Sequence, residues 1–165
     1  MHFRLNPRRL TLVGVALAVL AWAPEATAQA RKRPAAAAPA PVAGPYVTAR
    51  PAAALQNKQL VLETTQGVIV IQLDATVAPN HVGFVLDQAE AGAYDGTVFH
   101  RAVAMGIVQG GDPISKDPAK TALYGTGGLN RVKREPNARK HLRGAVSSVL
   151  VPNKPDSAGA QFFIC

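Results

Sequence analysis

Two short apolar segments separated by a turn begin the folded part of the chain. Residues 60–64 and 68–73 are rich in β-branched side chains, and the sequence TQG between them is typical of a tight turn. This pattern predicts a β-hairpin. The second segment is apolar at consecutive positions, so both of its faces are apolar, which favours a strand in the centre of a sheet over one at its edge.

A helical spacing of apolar side chains follows the hairpin. Pro79 suits the first turn of a helix, and Gly92 stands where a C-terminal cap belongs. The apolar residues between them recur three and four positions apart: Val82, Val85, Leu86 and Ala89. We therefore expect one amphipathic helix.

Strands dominate the rest of the pattern. Residues 97–103, 144–151 and 161–165 each have the composition of a strand. Residues 113–139 are rich in Gly, Pro and Lys, which predicts a long irregular connection. Strands and helices do not alternate as they do around a parallel sheet. The predicted fold class is therefore mainly β, an antiparallel barrel or sandwich.

The first thirty residues are typical of an export signal. Three arginines precede the uncharged apolar run 10–22, and the small-x-small sequence at 26–28 fits a cleavage site. The apolar run is shorter than the roughly 20 residues that a membrane-spanning helix needs. This length favours a cleaved signal peptide, residues 1–28, over a permanent anchor. We expect a periplasmic or secreted protein with no stable membrane insertion after cleavage.

Composition divides the remainder into two parts. Ala and Pro dominate residues 31–54, which have no helical or strand period, and proline favours an extended, semi-rigid chain. We predict an Ala/Pro-rich linker over residues 29–58 and one folded domain over residues 59–165. We expect this domain to be a monomer.

Basic residues outnumber acidic ones, 18 to 10, which gives a formal net charge of +8. Much of the excess lies at residues 31–33 and 131–143, and neither stretch interleaves aromatic side chains. Such patches can bind phosphate groups, but solvated surface charge is the commoner reason for them. We therefore predict no nucleic-acid partner.

Cysteine and histidine are too sparse for disulfide or metal chemistry. Cys165 is the only cysteine, so no internal disulfide can form, and no paired spacing of Cys or His supports a metal site. The sequence also shows no nucleophile, base and acid set of the kind that hydrolases use. We predict no metal.

Phe99, His100 and Arg101 place an aromatic ring, an imidazole and a guanidinium on one predicted strand. Strand alternation puts Phe99 and Arg101 on the same face. A buried arginine needs a partner, so a structural ion pair competes with a role in ligand binding at this position. Gln109 either supports Arg101 or receives a substrate.

The glycine-rich segment 125–128 allows two interpretations. Its backbone amides could cradle an anion, but it lacks the strand, the helix and the lysine of a phosphate-binding loop. We interpret it as a flexible surface loop.

Taken in order, the segments YDGTVFHR, QGGDP, GTGG, HLRG and SAGAQFF, with Glu135 before HLRG, resemble the signature of the cyclophilin family. The resemblance covers residues 59–165 and, with the signal peptide, suggests an exported bacterial member. It implies an eight-stranded antiparallel β-barrel capped by two helices. It also implies isomerisation of X-Pro peptide bonds, proline-containing polypeptides as substrates, and no cofactor.

The resemblance assigns roles to individual residues. Arg101 matches the family's catalytic arginine, which binds the prolyl region of the substrate, and Gln109 matches the glutamine that holds arginine and substrate in place. The predicted substrate-binding residues are Phe163 as a wall of the proline pocket, Gln161 in the groove, Ile107 and Phe99. His100 and Phe99 also match the motif as packing residues.

Two departures from the family pattern lower the expected activity. Gly106 stands where the family usually has an aromatic pocket wall, and the sequence ends soon after Phe163, before the family's last strands and second helix. We therefore expect a C-terminally truncated, partial domain. An isomerase acting on exported proteins is the first hypothesis. A peptide-binding or chaperone module with weak catalysis is the alternative.

Overall fold

The computed structural model describes the backbone of residues 2–5 and all of residues 45–165. In this part of the chain the strands are β1 (His2–Leu5), β2 (Gln59–Thr64), β3 (Gly67–Gln72), β4 (Arg101–Ala102), β5 (Val108–Gly110), β6 (Val146–Ser148) and β7 (Phe162–Ile164). The helices are α1 (Ala52–Leu55), α2 (Pro79–Glu90) and two 3-10 helices, Pro113–Lys116 and Pro118–Leu123. None of these helices has both the length and the apolar content that crossing a membrane requires.

The first sheet contains the predicted hairpin. β2 and β3 pair antiparallel, from Gln59 opposite Gln72 to Thr64 opposite Gly67, and β1 pairs with the other edge of β2. Gly67 has φ +128°, a backbone angle that a residue with a side chain rarely adopts, and it lies directly after the turn. The prediction of the hairpin is confirmed.

β3 lies at the edge of this sheet in the described part of the chain, so the prediction of a central strand is wrong. Ile71 is buried in the core, whereas Val68 and Val70 on the other face are 64% and 56% exposed. β-branched residues also favour extended backbone where no second layer covers them. Their enrichment on both faces therefore did not require burial of both faces.

The second sheet has the strand order β4-β5-β7-β6, and every neighbouring pair is antiparallel. Its strands are two or three residues long, shorter than the segments predicted from composition. The described residues thus form two antiparallel sheets with few helices, which confirms the mainly β fold class. They show no closed barrel.

One hydrophobic cluster joins the two sheets through helix α2. Phe84 of α2 packs in this cluster with Leu62 of β2 and Phe162 of β7, and all three are buried. The helix begins at Pro79 and is followed by Gly92 at φ +68°, as the sequence predicts. The core therefore covers the face of the second sheet that carries Phe162, and the opposite face carries the candidate site.

Residues 45–58 pack on the domain, although their composition predicts a linker. The amide of Tyr46 donates to the carbonyl oxygen of Arg131 at 2.7 Å, and the Tyr46 hydroxyl donates to Asp87 at 2.5 Å. Burial, together with the bond to this carboxylate, raises the pKa of Tyr46 to about 12, so the hydroxyl remains a donor at neutral pH. Leu55 of α1 is only 2% exposed.

Further contacts fix the same segment to helix α2. Arg50 forms ion pairs with Asp87 and Glu90, each at 2.6 Å. Gly83 faces Thr48 so closely that a Cβ on Gly83 would have no room. Composition did not indicate these contacts, because four alanines and two prolines surround the few side chains that make them.

Residues 6–44, which include most of the predicted signal peptide and the first half of the predicted linker, lie outside the described residues. The boundaries at residues 28 and 58 stay predictions. The contacts of residues 45–58 nevertheless show that the folded unit in this structure extends N-terminal to Gln59.

Candidate functional site

The candidate site is a row of side chains across the second sheet. Arg101 of β4 lies opposite Gln109 of β5, and Gln109 lies opposite Phe163 of β7. Directly opposed residues of neighbouring strands point to the same face of a sheet. The structure therefore brings three of the predicted site residues together on one face.

A chain of hydrogen bonds runs along this face. Arg101 Nη1 donates to Gln109 Oε1 at 3.3 Å, and Gln109 Nε2 donates to Gln161 Oε1 at 3.0 Å. Gln161 Nε2 donates in turn to the carbonyl oxygen of Gly127 at 2.7 Å. Because a carbonyl oxygen can only accept, Gly127 fixes the orientation of the Gln161 amide, and Gln161 fixes that of Gln109. Gln109 consequently presents an acceptor to Arg101.

Arg101 itself is exposed, not buried as its strand position predicts. Within the described residues it makes no ion pair with a carboxylate. Of the two roles that the sequence left open, a structural ion pair is therefore unsupported. A guanidinium carries five N–H donors, and its bond to Gln109 uses one of them, so the others remain available to a ligand.

The glycine-rich loop is a fixed part of the site, and its interpretation as a flexible surface loop is wrong. The fully buried carboxylate of Asp112 accepts hydrogen bonds from the amides of Gly125 at 2.5 Å, Gly127 at 3.3 Å and Ile114 at 2.8 Å. Gly127 lies so close to Asp112 that a Cβ there would have no room. These contacts hold the carbonyl oxygen of Gly127 where Gln161 reaches it.

Phe163 supplies the apolar part of the row. The side chain is half-buried, and the exposed ring of His141 packs edge-to-face against it, with centroids 5.3 Å apart and planes at 79°. The sequence did not indicate this contact, because the two residues belong to segments that only the fold brings together.

The turn between β4 and β5 contains Ile107, a predicted substrate-binding residue, and Gly106, which has no side chain. Ile107 is half-buried, and its carbonyl oxygen accepts from the amide of Val103 at 2.8 Å. It lies two positions before Gln109, at the turn end of β5. Gly106 is exposed and offers no side chain to a ligand, as the sequence comparison with the family pattern predicts.

Phe99 does not share a face with Arg101, so that prediction is wrong. Its ring packs edge-to-face against Phe162 of the core, with centroids 6.2 Å apart. Strand alternation does not extend to Phe99, because β4 contains only Arg101 and Ala102. The amide of the preceding Val98 donates to the Ser115 hydroxyl and not to a neighbouring strand. This position supports the packing role of Phe99 and gives no support to its predicted contact with substrate.

His100 also has the surroundings of a packing residue. Both ring nitrogens are buried without a hydrogen-bond partner in the described part of the chain, and the ring packs edge-to-face on Tyr124 at 6.5 Å. This burial supports a packing role for His100 over a role as general base, because a base has to reach the substrate. Among the described residues no cluster of three His, Cys, Asp or Glu side chains is arranged to hold a metal ion.

Glu135 ties the connection after the glycine-rich loop to the start of helix α2. Its carboxylate accepts from the amides of Asn80 and His81 at 3.0 and 2.9 Å and lies 2.6 Å from His81 Nδ1. The positive end of the helix dipole favours a carboxylate at this place. Burial alone would raise the pKa of Glu135, but the bonds from the His81 side chain and the two amides hold it below its ordinary value.

Asp112 and Gly127 are supporting residues that the sequence analysis missed. Asp112 and Asp117 each precede a proline, and each accepts from an amide at the start of a 3-10 helix. An aspartate followed by proline is typical of a helix N-terminus. This repeated pair was a signal of ordered turns inside residues 113–139.

Comparison with known proteins identifies the family to which the chain belongs. The model of the family described as cyclophilin type peptidyl-prolyl cis-trans isomerase/CLD matches residues 59–165. Peptidyl-prolyl cis-trans isomerase 9 of Schizosaccharomyces pombe is 37% identical over 116 residues, which are 67% of this chain and 17% of that protein. Peptidyl-prolyl cis-trans isomerase A of Dickeya dadantii is 37% identical over 113 residues, 68% of this chain and 56% of that protein. The chain thus spans less than two thirds of the length of these relatives.

Solved structures show the same fold. The cyclophilin type peptidyl-prolyl cis-trans isomerase of Cryptosporidium parvum, solved in the presence of the dipeptide Ala-Pro, has a TM-score of 0.55 at 27% identity, over 64% of this chain and 66% of that one. Cyclophilin AquaCyp293 from Hirschia baltica has a TM-score of 0.52 at 24% identity, over 67% of this chain and 57% of that one, and supports the fold alone. The chain belongs to the family of cyclophilin-type peptidyl-prolyl cis-trans isomerases.

Proposed function

We propose that this chain accelerates rotation about X-Pro bonds in polypeptides and thereby assists the folding of exported proteins. The observation that carries the proposal is the exposed guanidinium of Arg101, held by buried glutamines in the same row as the apolar ring of Phe163. The related enzyme from Cryptosporidium parvum was solved with Ala-Pro, which supports proline-containing polypeptides as substrates here. The exported setting rests on the signal-like residues 1–28.

Rotation about an X-Pro bond breaks no covalent bond, so the chemistry needs neither a nucleophile nor a base. Resonance of the C–N bond opposes rotation with a barrier of about 18 to 20 kcal/mol. A catalyst lowers this barrier by binding the twisted amide more tightly than either planar isomer. When resonance is lost, a lone pair localises on the prolyl nitrogen, and a fixed hydrogen-bond donor beside that atom stabilises the twisted state.

The residues of the row divide this task. Arg101 supplies the donor, Gln109 holds the guanidinium, and Phe163 receives the pyrrolidine ring. A hydrogen bond from a charged group contributes about 1.5 to 3 kcal/mol. Because each 1.4 kcal/mol changes a rate about tenfold, the guanidinium accounts for about a ten- to hundredfold acceleration.

A proline-isomerisation assay with a chromogenic tetrapeptide tests the proposal. The full chain is compared with Arg101→Ala, Arg101→Lys and, as a control, the exposed Lys116→Ala, which removes a positive charge elsewhere on the surface. We expect kcat/KM about ten- to hundredfold lower for Arg101→Ala, an intermediate value for Arg101→Lys, which keeps the charge but loses the planar fork, and no change for Lys116→Ala. Equal rates for the full chain and Arg101→Ala would remove Arg101 from the mechanism.

Gly106 favours one alternative, a peptide-binding or chaperone module with weak catalysis. This position is exposed and gives the pocket no wall on the side of the β4–β5 turn. A fluorescence anisotropy measurement with a labelled proline peptide separates the two functions. Binding that depends on Arg101, together with a rate no higher than the uncatalysed one, would establish the alternative.

A further inference from the structure

Residues 133–143, called the basic loop below, carry an uneven distribution of charge. The basic side chains of the loop are Lys133, Arg134, Arg139, Lys140 and Arg143. The loop contains one carboxylate, Glu135, which is bound to the start of helix α2. Arg139 is paired with Asp74 at 2.7 Å. These two residues are therefore already partnered within the domain.

Lys140 and Arg143 have no such partner. Both are exposed, and neither makes an ion pair in the part of the chain that the structure describes. Exposed charges act over about 8 Å at physiological ionic strength. The two side chains therefore present uncompensated positive charge to any molecule that approaches this part of the surface.

The end of the basic loop is fixed against the candidate site. His141, which lies between the two cations in the sequence, packs its ring against Phe163. Directly after the loop, the amide of Gly144 donates to the carbonyl oxygen of Cys165 at 2.7 Å, just beyond β7. Lys140 is consequently adjacent in sequence to a residue that contacts Phe163, which the proposed function uses as the wall of the proline pocket, and Arg143 is adjacent to a residue bonded just beyond β7.

We propose that the basic loop selects X-Pro substrates in which an acidic residue lies close to the proline, through Lys140 and Arg143. The inference rests on the proposed isomerase function and names its substrate class. With proline at Phe163, we expect a carboxylate on the neighbouring residue to approach these long side chains, because His141, next to Lys140 in the sequence, contacts Phe163. Charges at the rim of a site act mainly on encounter and binding, so the loop changes KM more than kcat.

An acidic peptide fits this surface better than a nucleic acid does. Proteins that bind single-stranded nucleic acid combine a basic groove with aromatic rings on which the bases stack. Residues 133–143 contain no Phe, Tyr or Trp. The aromatic ring next to the loop, Phe163, lies in the row that contains Arg101 and Gln109.

The test measures kcat and KM for three chromogenic tetrapeptides that differ only in the residue before proline, which is Glu, Ala or Lys. The full chain is compared with the double variant Lys140→Glu/Arg143→Glu. The matched control is Lys58→Glu/Lys116→Glu, which changes the net charge by the same amount on other elements. Each measurement is made at low and at high salt.

At low salt we expect the full chain to prefer the Glu peptide over the Lys peptide by about two- to tenfold in kcat/KM, mostly through KM. High salt should reduce this preference because it screens exposed charges. The double variant in the basic loop is expected to lose or reverse the preference, and the control variant is expected to keep it.

Several outcomes overturn the inference. One is an unchanged preference in Lys140→Glu/Arg143→Glu, and another is an equal loss in the control variant, which would assign the effect to net charge. A loop-dependent affinity for a single-stranded oligonucleotide, with no charge preference among the peptides, would assign the loop to nucleic acid. If the full chain isomerises none of the peptides, the proposed function fails, and anisotropy of the same peptides with the same variants decides the inference separately.

Discussion

The candidate site and the basic loop are neighbours on the surface, but they are held in different ways. In the site, Gln109 and Gln161 are 7% and 0% exposed, and their amides form one continuous chain of hydrogen bonds. The basic loop is exposed along most of its length and is fixed at a few points, chiefly at Glu135 and Arg139.

This difference matches the roles that we propose for the two regions. A hydrogen bond to a twisted amide depends on placing the donor within a fraction of an ångström, which requires locked side chains. Attraction between exposed charges varies slowly with distance, so it tolerates movement of the groups that carry it. We therefore expect substitutions that disturb the buried network to have large effects and substitutions in the loop to have graded ones.

The largest effect is expected from Asp112→Ala, which removes the support of the glycine-rich loop. Three backbone amides lose the buried carboxylate that accepts from them, and each unsatisfied donor costs about 1 to 3 kcal/mol. We expect a loss of about 3 kcal/mol or more in the free energy of unfolding. In a thermal melt this corresponds to a fall in Tm of roughly 10 to 25 °C.

Asp117→Ala is the matched control for that substitution. Asp117 accepts from the amide of Ala119 at the start of the second 3-10 helix, just as Asp112 accepts from Ile114 at the start of the first, but its side chain is 43% exposed. Its removal should lower Tm far less, because water replaces the lost partner. Similar falls in Tm for both variants would show that burial of Asp112 does not matter.

A smaller but specific effect is expected from Gln161→Met, which interrupts the chain of hydrogen bonds without shortening the side chain much. Gln109 then loses the contact that orients its amide, and Arg101 loses a fixed acceptor. We expect kcat in the isomerase assay to fall about tenfold. Adding Gln161→Met to Arg101→Ala should cause little further loss, since residues that act as a unit are not additive. Full additivity would contradict a positioning role.

Glu135→Gln removes the negative charge of the residue that ties the basic loop to the start of helix α2. The folded pKa of Glu135 lies below its unfolded value, so the carboxylate contributes stability that is fully present above about pH 4.3. That contribution is lost as the pH falls through the folded pKa. In urea unfolding, the variant should be less stable than the unmodified chain by about 1 kcal/mol at neutral pH. The difference in stability between the two proteins should disappear at low pH. A difference that stays constant with pH would mean that it does not arise from the charge of Glu135.

The smallest effect is expected from Arg139→Ala. Its ion pair with Asp74 joins two exposed side chains, which solvent screens. Tm should therefore stay within experimental error of that of the unmodified chain, while the other anchor at Glu135 keeps the basic loop in place. A clear fall in Tm would mean that the loop depends on its second anchor more than its exposure indicates.

Elements with strong local signals could be predicted from the sequence. The hairpin of residues 59–72 and the helix from Pro79 to Glu90 have a clear period and suitable turn or cap residues, and both form as expected. Arg101, Gln109 and Phe163 lie in one row because strand pairing brings their segments together. Their motifs indicated these residues without any knowledge of the register.

Sequence patterns were least informative where contacts between residues far apart in the sequence determine the local structure. Phe99 leaves the predicted strand because the core holds its ring against Phe162. The glycine-rich loop has no period of its own, and its order comes from the buried carboxylate of Asp112. The composition of residues 45–58 likewise did not indicate the contacts of Tyr46 and Arg50 with helix α2. Contacts of this kind leave no local trace in the sequence.

The last acceptor of the amide chain, the carbonyl oxygen of Gly127, belongs to the backbone, and no substitution of a side chain can delete it. Changes of loop length or of backbone angle near Gly127 can only move it. Each such change would shift two glutamines and a guanidinium together, without altering any residue that touches the substrate. The glycine-rich loop is thus a place where natural variation or engineering can adjust the proposed isomerase activity without changing a side chain of the row.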